Sequence, residues 1–556
     1  MQDCRTLKTN KHINNSLITF PLPANEPVKA CLEGSPERIA LDKELERQYN
    51  TVVEIPAIIG GKEVRTGKIA EVTCPTEHGH VLARYHMVGE KEVKMAIDAA
   101  MKAREEWSRT PWTTRAAINL KCAELLSTTW RAKINAATML GQGKNIYQAE
   151  IDSAAETCDF FRYNVSFASQ IYAMQPKDAK NCIDHNEFRP LEGFILAVTP
   201  FNFTSIASNL CMTPVLMGNV ALWKPSRTAL LSNYYLMLLY KEAGLPDGVI
   251  NFLPGSGELI GKVCTESHYF AGLHFTGSTA TFNSLWASAT KNLDNYISYP
   301  RIVGETGGKD FIFVHPSADA AAVAHAAFTG AFEYQGQKCS AASRMYIPKS
   351  MWPDVLERLK VMASQVRMGG VRDHDNFINA VIDEASFKRI EAQIENARGS
   401  KDAKVVLGGK CDRTVGWFVE PTVIETSDPK FKTMVEEIFG PVLTVYPYED
   451  AKWEEAVKLC DETSPYGLTG SVFGKDRLAV EKISEMLCYA AGNFYINDRP
   501  TGAVVGCQPF GGARASGTDD KAGGPFNLFR WVCPRSIKET LVSPTDIFAA
   551  YPYIKR

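Results

Sequence analysis

Five near-continuous apolar segments, Gly193–Val198, Asn219–Trp223, Val249–Leu253, Gly272–Phe275 and Ile302–Val303, are separated by the helical stretches Ser205–Leu216, Ala229–Ala243, Glu258–Cys264 and Ala280–Thr290. A strand with one wet face alternates apolar and polar residues. Segments apolar on both faces must be covered on both sides, which predicts a parallel sheet with crossover helices. Such a sheet binds ligands at the carboxyl ends of its strands. A second block repeats the pattern with Phe311–His315, a helix at Asp319–Phe332, a strand at Arg344–Ile347, and helices at Ser350–Gln365, Ala385–Arg398, Ala451–Cys460 and Leu478–Leu487. The expected class is α/β, with two parallel-sheet domains, the second beginning soon after Glu305.

Ahead of these blocks, Pro36 after Ser35 signals a helix start for Ser35–Tyr49, and Val52 to Ala83 reads as short β-type runs. Helices are predicted at Lys91–Trp107, where Val93, Ile97, Ala100 and Ala103 share a face, and at about 112–130 and 131–175. The tail from about 527 reads as an extended edge element. A net charge of −2 gives no electrostatic case for nucleic acid or membrane, so small molecules are the expected partners. The fourteen cysteines are scattered without a Cys-x-x-Cys pair or zinc spacing, which suits a reducing compartment and no metal. The first twenty residues carry Arg5, Lys8 and Lys11 against the single acid Asp3, and fit either an organellar leader or a disordered tail.

Chemistry-bearing residues cluster where strands end. Cys339, in Glu333-Tyr334-Gln335-Gly336-Gln337-Lys338-Cys339, reads as either a nucleophile or a small packing residue; Lys338 beside it is expected to favour the thiolate. Glu305, before Thr306-Gly307-Gly308-Lys309, is either a general base or a solvated carboxylate. Asn202, in Thr199-Pro200-Phe201-Asn202-Phe203, can donate to an oxyanion or cap the next helix. Lys224, before Pro225-Ser226, can hold a ribose or lie on the surface. Thr276-Gly277-Ser278-Thr279 joins a strand to a helix, where backbone N–H groups can meet a phosphate. Taken alone, Glu436-Glu437-Ile438-Phe439-Gly440-Pro441 is an ordinary turn.

In this order, and with Pro509-Phe510-Gly511-Gly512, the motifs resemble the aldehyde dehydrogenase superfamily over essentially the whole chain from about residue 55. Asn25-Glu26-Pro27-Val28, Gly34-Ser35-Pro36-Glu37-Arg38, Gly141-Gln142-Gly143-Lys144, Ala149-Glu150-Ile151-Asp152, Phe160-Phe161-Arg162-Tyr163-Asn164 and the stretch from Gly506 to Thr518 resemble its pyrroline-5-carboxylate dehydrogenase branch. The length leaves no room for a proline dehydrogenase barrel and implies the monofunctional form.

The resemblance implies a Rossmann-like NAD-binding domain (1–170 and 192–305), a catalytic domain (306–526) and oligomerisation elements (171–191 and 527–556) that include a protruding β-hairpin. It implies Cys339 as nucleophile, Asn202 as oxyanion donor and Glu305 as the base that activates water. NAD would lie along Thr199, Lys224, Gly277, Ser278, Thr279, Ala280 and Thr281, with Glu437 on the nicotinamide ribose and Phe439 beside the ring. Many relatives carry an acid two residues after the Lys-Pro; here Ser226-Arg227 lacks it, which leaves NADP open. The substrate carboxylate would meet the backbone of Gly502 and Ala503 and the hydroxyl of Ser340; Glu156 would face the ammonium, and Phe203 and Phe510 the methylenes. Expected are oxidation of L-glutamate γ-semialdehyde, a homodimer and the mitochondrial matrix. The alternatives are an aldehyde dehydrogenase of another specificity, CoA-acylating enzymes included, or a catalytically silent relative.

Overall fold

The computed structural model describes residues 18–555, so most of the leader-like N-terminal stretch falls outside it. Two seven-stranded sheets dominate. In the first, β1 (Ala57–Ile59), β2 (Lys62–Val64), β3 (Phe194–Val198), β4 (Val220–Lys224), β5 (Ile250–Phe252), β6 (Phe270–Thr276) and β7 (Arg301–Glu305) lie in the order β7-β6-β3-β4-β5-β1-β2. The five strands read from apolar runs are mutually parallel, while β1 and β2 form an antiparallel edge. The second sheet comprises β8 (Asp310–Val314), β9 (Ala342–Pro348), β10 (Ala403–Leu407), β11 (Thr422–Thr426), β12 (Val442–Tyr448), β13 (Thr469–Phe473) and β14 (Asn493–Ile496). Its order is β10-β11-β12-β9-β8-β13-β14, and only the edge strand β10 is antiparallel.

Burial explains the apolar runs. The first four residues of β3 and of β4 are buried and only the last, Val198 and Lys224, emerges; β7 likewise ends on the partly exposed Glu305. Four residues, Thr306–Lys309, then carry the chain from the first sheet to the second. The ends of β6 and β7, Thr276 and Glu305, share one cavity with Cys339 and Ser340, which precede β9 of the second sheet.

One expectation is revised. The stretch 131–175 is not one helix: Arg131–Gln142 stops at Gly143, which is left-handed at φ 69°, and Asn145 caps a new turn by accepting from the Gln148 N–H. Widened π-helical turns over Glu150–Glu156 lead into Thr157–Tyr172. Such turns shift side chains off the regular α-helical register. Here Glu150 meets Arg131, Asp152 meets Lys144 and Glu156 meets Ser205. As expected, the 171–191 region pairs with the tail, Cys182–Arg189 running antiparallel to Cys533–Thr540 as a two-stranded ribbon. Among the described residues no helix is long and apolar enough to cross a membrane, and no group of three or more His, Cys, Asp or Glu is arranged to hold a metal ion.

The helix Thr204–Leu216 fixes Asn202 and Phe203, which immediately precede it, and its cap comes from elsewhere. Asp152 accepts from the N–H groups of Thr204 and Ser205 at 2.9 Å each and pairs with the Lys144 ammonium at 2.6 Å. Both partners are buried. Removing one member of such a pair strands a buried charge at a cost of about 3–5 kcal/mol, whereas replacing both with apolar groups is far less damaging. Asp152→Ala is therefore expected to lower the thermal midpoint by several degrees, and Lys144→Met combined with Asp152→Leu to recover part of that loss. Differential scanning calorimetry of the three proteins checks this.

Candidate active site

Cys339 stands at the end of an unusual turn. Tyr334, Gln335 and Gly336 are successively left-handed, at φ 51°, 55° and 63°. The Gln335 amide N donates to the carbonyls of Gly143 and Ala380 at 2.9 and 3.0 Å, and its oxygen accepts from the Asn379 N–H at 3.0 Å. Behind the thiol, a Cβ on Gly308 would lie 2.2 Å from the Cys339 carbonyl oxygen. A glycine is required at 308 so that the strand linker can pass this close.

Cys339 keeps 8% of its surface and lines a cavity of about 480 Å³. Burial, and then the nearby carboxylates of Glu305, Asp310 and Glu437, push its thiol well above the ordinary range. The expected help from Lys338 is absent. Its ammonium is spent on Glu333, 2.9 Å away, so in the free protein the thiolate is disfavoured.

The structure separates several of the alternatives left open by sequence. Asn202 does not cap the helix, since Asp152 does; its amide N donates to the Gln337 carbonyl at 3.1 Å, two residues before the thiol, and has a second hydrogen to give. Glu305 is not a solvated carboxylate: its Oε1 is enclosed without a hydrogen-bond partner among the described residues, and burial raises its pKa well above the usual range. Lys224 is largely buried, its pKa lowered to about 8 by desolvation and then by repulsion from Arg227.

The cavity brings Cys339 and Glu305 together with all six residues assigned to substrate: Ser340, Gly502, Ala503, Phe203, Phe510 and Glu156. Glu156 is raised to about 8 by burial and by the neighbouring Asp152, although its Oε2 accepts from the Ser205 hydroxyl at 3.1 Å. A cationic ligand group would restore its charge. Phe203 packs under the Lys144 ammonium, 4.2 Å from its ring centre.

A separate cleft of about 530 Å³ lies beyond the carboxyl ends of β4 and β5 and is lined by Lys224, Ser226, Arg227 and Gly255 to Gly257. The Lys224 ammonium makes no hydrogen bond among the described residues and is free for a ribose hydroxyl, so this cleft fits a nucleotide. Of the other residues expected at the cofactor, Thr199 accepts from the Trp223 indole N–H at 3.0 Å, and Ser278 caps the helix Thr279–Thr290 by accepting from the Thr281 N–H. That helix start, which includes Ala280, follows Gly277 and offers backbone donors for a phosphate. Thr279 is turned elsewhere, since its hydroxyl donates to the Ala515 carbonyl at 3.3 Å and accepts from the Gly307 N–H. Glu437 accepts from the Gly308 N–H at 2.8 Å, and the Phe439 ring meets Phe201 edge-on with centroids 5.7 Å apart.

The aldehyde dehydrogenase family model matches residues 63–535. This chain belongs to that family. A mitochondrial delta-1-pyrroline-5-carboxylate dehydrogenase of Dictyostelium discoideum is 51% identical over 538 residues, covering 96% of each chain. Its counterpart from Homo sapiens is 48% identical over 518 residues, covering 93% of this chain and 92% of the relative. Among solved structures, the Delta-pyrroline-5-carboxylate dehydrogenase from Mycobacterium tuberculosis bound with NAD superposes with a TM-score of 0.93 at 46% identity, covering 97% of this chain and 99% of that one.

Within this family architecture, sequence reasoning left several supporting residues unassigned. Lys144 and Asp152 lie inside two of the motifs that carried the branch resemblance, so their signal was present without a role attached. Gln335 gave no signal, because its function is to saturate distant carbonyls. Lys309 is buried with no hydrogen-bond partner for its ammonium among the described residues, its pKa lowered to about 7 by desolvation and then by Arg344, while burial raises the adjacent Asp310 to about 8.

Since the Cys339 pKa stands above the ordinary thiol value of about 8.5, its alkylation by iodoacetamide in the free enzyme is expected to be slow at pH 7 and still rising beyond pH 9. Peptide mass spectrometry against pH checks this. A plateau below pH 8 would show a thiolate stabilised by something other than the described surroundings.

Proposed function

We propose that this enzyme oxidises L-glutamate γ-semialdehyde, the open form of pyrroline-5-carboxylate, to L-glutamate with NAD, in the proline catabolism of the mitochondrial matrix. One observation carries the reading. A single cavity holds a thiol, a water-activating carboxylate and a set of groups suited to an amino acid, in a chain about half identical to relatives bearing that enzyme's name. Those relatives' names include the word mitochondrial.

In this reading the Cys339 thiol gives up its proton to water in the cavity, and its sulfur then attacks the aldehyde carbon and forms a thiohemiacetal. Its oxyanion is held by the second amide hydrogen of Asn202 and the N–H of Cys339. NAD, when bound, accepts the hydride released as the carbon becomes a thioester. Lys224, Glu437 and the helix start at Gly277–Thr281 would hold the cofactor. Glu305 then takes a proton from water, the hydroxide attacks the thioester carbon, the thiol departs and the acid is freed. Burial keeps the Glu305 carboxyl from full ionisation in the free protein, and once ionised it is a stronger base than an ordinary carboxylate.

Ser340 and the N–H groups of Gly502 and Ala503 suit the α-carboxylate, and among the described residues those two N–H groups make no other hydrogen bond. Glu156 suits the ammonium. The aromatic faces of Phe203 and Phe510 leave room for the methylenes between them. A homodimer fits the ribbon, whose neighbourhood exposes Ile183, Leu541 and Val542.

Cys339→Ala is expected to abolish NADH formation, and Asn202→Ala to lower kcat about a hundred- to a thousand-fold. Glu305→Gln is expected to release one equivalent of NADH and stall as a thioester, visible as a mass increase on the Cys339 peptide. The substrate is tested by steady-state rates on the semialdehyde and on propanal; equal kcat/KM for the two would overturn the amino-acid assignment.

A further inference from the structure

Three charged side chains at the cavity are not used in this mechanism. Glu333 begins the left-handed turn that leads to the thiol, Lys338 directly precedes Cys339, and Arg499 stands three residues before Gly502. Glu333 holds both cations: Lys338 Nζ lies 2.9 Å from its Oε2, and Arg499 Nη1 lies 2.6 Å from its Oε1. All three line the cavity and are mostly buried, with side-chain exposures of 13% for Glu333, 14% for Lys338 and 24% for Arg499.

Two features distinguish this cluster from an ordinary surface pair. It joins two separate segments, the thiol turn and the 499–505 loop, each of which supplies a wall of the cavity: Ser340 from the first, Gly502 and Ala503 from the second. It is also unbalanced, with two cations against one carboxylate. Although burial opposes its ionisation, the charges of Lys338 and then Arg499 hold the Glu333 carboxyl below its ordinary value, so the excess positive charge persists at neutral pH. The acids on the remaining walls do not cancel it. Glu26 is bound by Arg131 and Arg162, Asp159 by Asn25 and the Glu26 N–H, Asp520 by Arg530 at 3.4 Å and the Thr518 hydroxyl at 2.6 Å, and burial keeps Glu156 and Glu305 from full ionisation.

We propose that Glu333, Lys338 and Arg499 form a charged clamp that fixes the 499–505 loop against the thiol turn and, through its excess positive charge, selects aldehydes that carry a carboxylate. Arg499 is a positioning and specificity residue here. Its guanidinium sets where the loop N–H groups stand and adds a cationic field that a neutral aldehyde cannot use. The inference rests on the placement of the substrate carboxylate at Gly502 and Ala503, but not on the amino group of the substrate. The loop has further anchors, since the Tyr495 hydroxyl donates to the Thr501 carbonyl at 2.8 Å and Asn25 donates to that of Val505 at 2.9 Å. Loss of Arg499 should therefore loosen the loop without unfolding it.

The test compares wild type, Arg499→Met and Arg499→Lys on glutarate semialdehyde, which has a carboxylate and no ammonium, and on pentanal, which has neither. In Arg499→Met, KM for glutarate semialdehyde is expected to rise about tenfold with kcat within about twofold, KM for pentanal to stay unchanged, and Arg499→Lys to restore most of the difference. Equal rises for both aldehydes would reveal a merely structural role, and no rise for either would remove Arg499 from specificity; each result overturns the proposal. In the unmodified enzyme, KM for glutarate semialdehyde should increase with ionic strength while that for pentanal does not. Its independence of salt would also overturn the clamp. Wild-type preference for L-glutamate semialdehyde over glutarate semialdehyde tests the amino-acid assignment separately, so either idea can fail alone.

Discussion

The amide of Gln335 holds the turn on which the site is built. Left-handed backbone at Tyr334 and Gln335 costs roughly 1–3 kcal/mol for each residue, and this strain persists only if the surroundings enforce it. Three hydrogen bonds from one fully buried side chain do so, tying the turn to Gly143, Asn379 and Ala380. Gln337 adds a fourth, accepting from the Ile382 N–H at 2.8 Å. At Gly336 a Cβ would lie 2.2 Å from the Gly440 carbonyl oxygen, so the chain that follows Phe439 also rests on this turn. The connection continues through Gly143 to Lys144, whose ammonium stands over the Tyr334 ring and pairs with Asp152. Asp152 in turn caps the helix behind Asn202. Cys339 and Asn202 are thus set by one continuous series of buried polar contacts.

The same closeness of packing determines the electrostatics. A thiol enclosed with carboxylates is kept protonated, and an enclosed carboxylate is kept from full ionisation. In the free protein both reactive groups are quiet. Positive charge arriving among Glu305, Glu437 and Asp310 would shift each group back toward its reactive form, because the carboxylates that oppose the thiolate would then be compensated. A Lys338 ammonium directed at the sulfur would have produced a permanently reactive thiol, and its engagement with Glu333 prevents this.

Much of the fold was legible in the sequence because its physics is local. Strands apolar on both faces required helices on both sides, and polar residues at the last strand positions, such as Lys224 and Glu305, marked the ligand-facing edge. Single contacts over long separations were not legible. Nothing in a linear reading ties Lys338 to Glu333 and Arg499, or assigns the cap of Thr204 to Asp152. The helix break at Gly143 was missed for a related reason: the apolar period continues across it, and only the left-handed glycine and the Asn145 cap divide it. The antiparallel edges of both sheets are tertiary choices that no strand pattern specifies.

The N-terminal arm shows why short motifs far apart in the chain belong together. Asn25 donates to Asp159 at 2.8 Å and to the Val505 carbonyl at 2.9 Å, and accepts from the Tyr163 hydroxyl at 3.0 Å. Glu26 is held by Arg131 and Arg162. Gly506, left-handed at φ 83°, lies so close to Tyr163 that a Cβ would fall 2.0 Å from the ring. The loop after Arg499 is therefore held at its start by Glu333 and at its end by the arm and the helix Thr157–Tyr172. A short loop fixed at both ends has few ways to present its N–H groups, and that preorganisation reduces the entropy lost when a ligand is bound. The position of this cavity loop thus depends on residues that lie outside it, one of them 480 positions away in sequence.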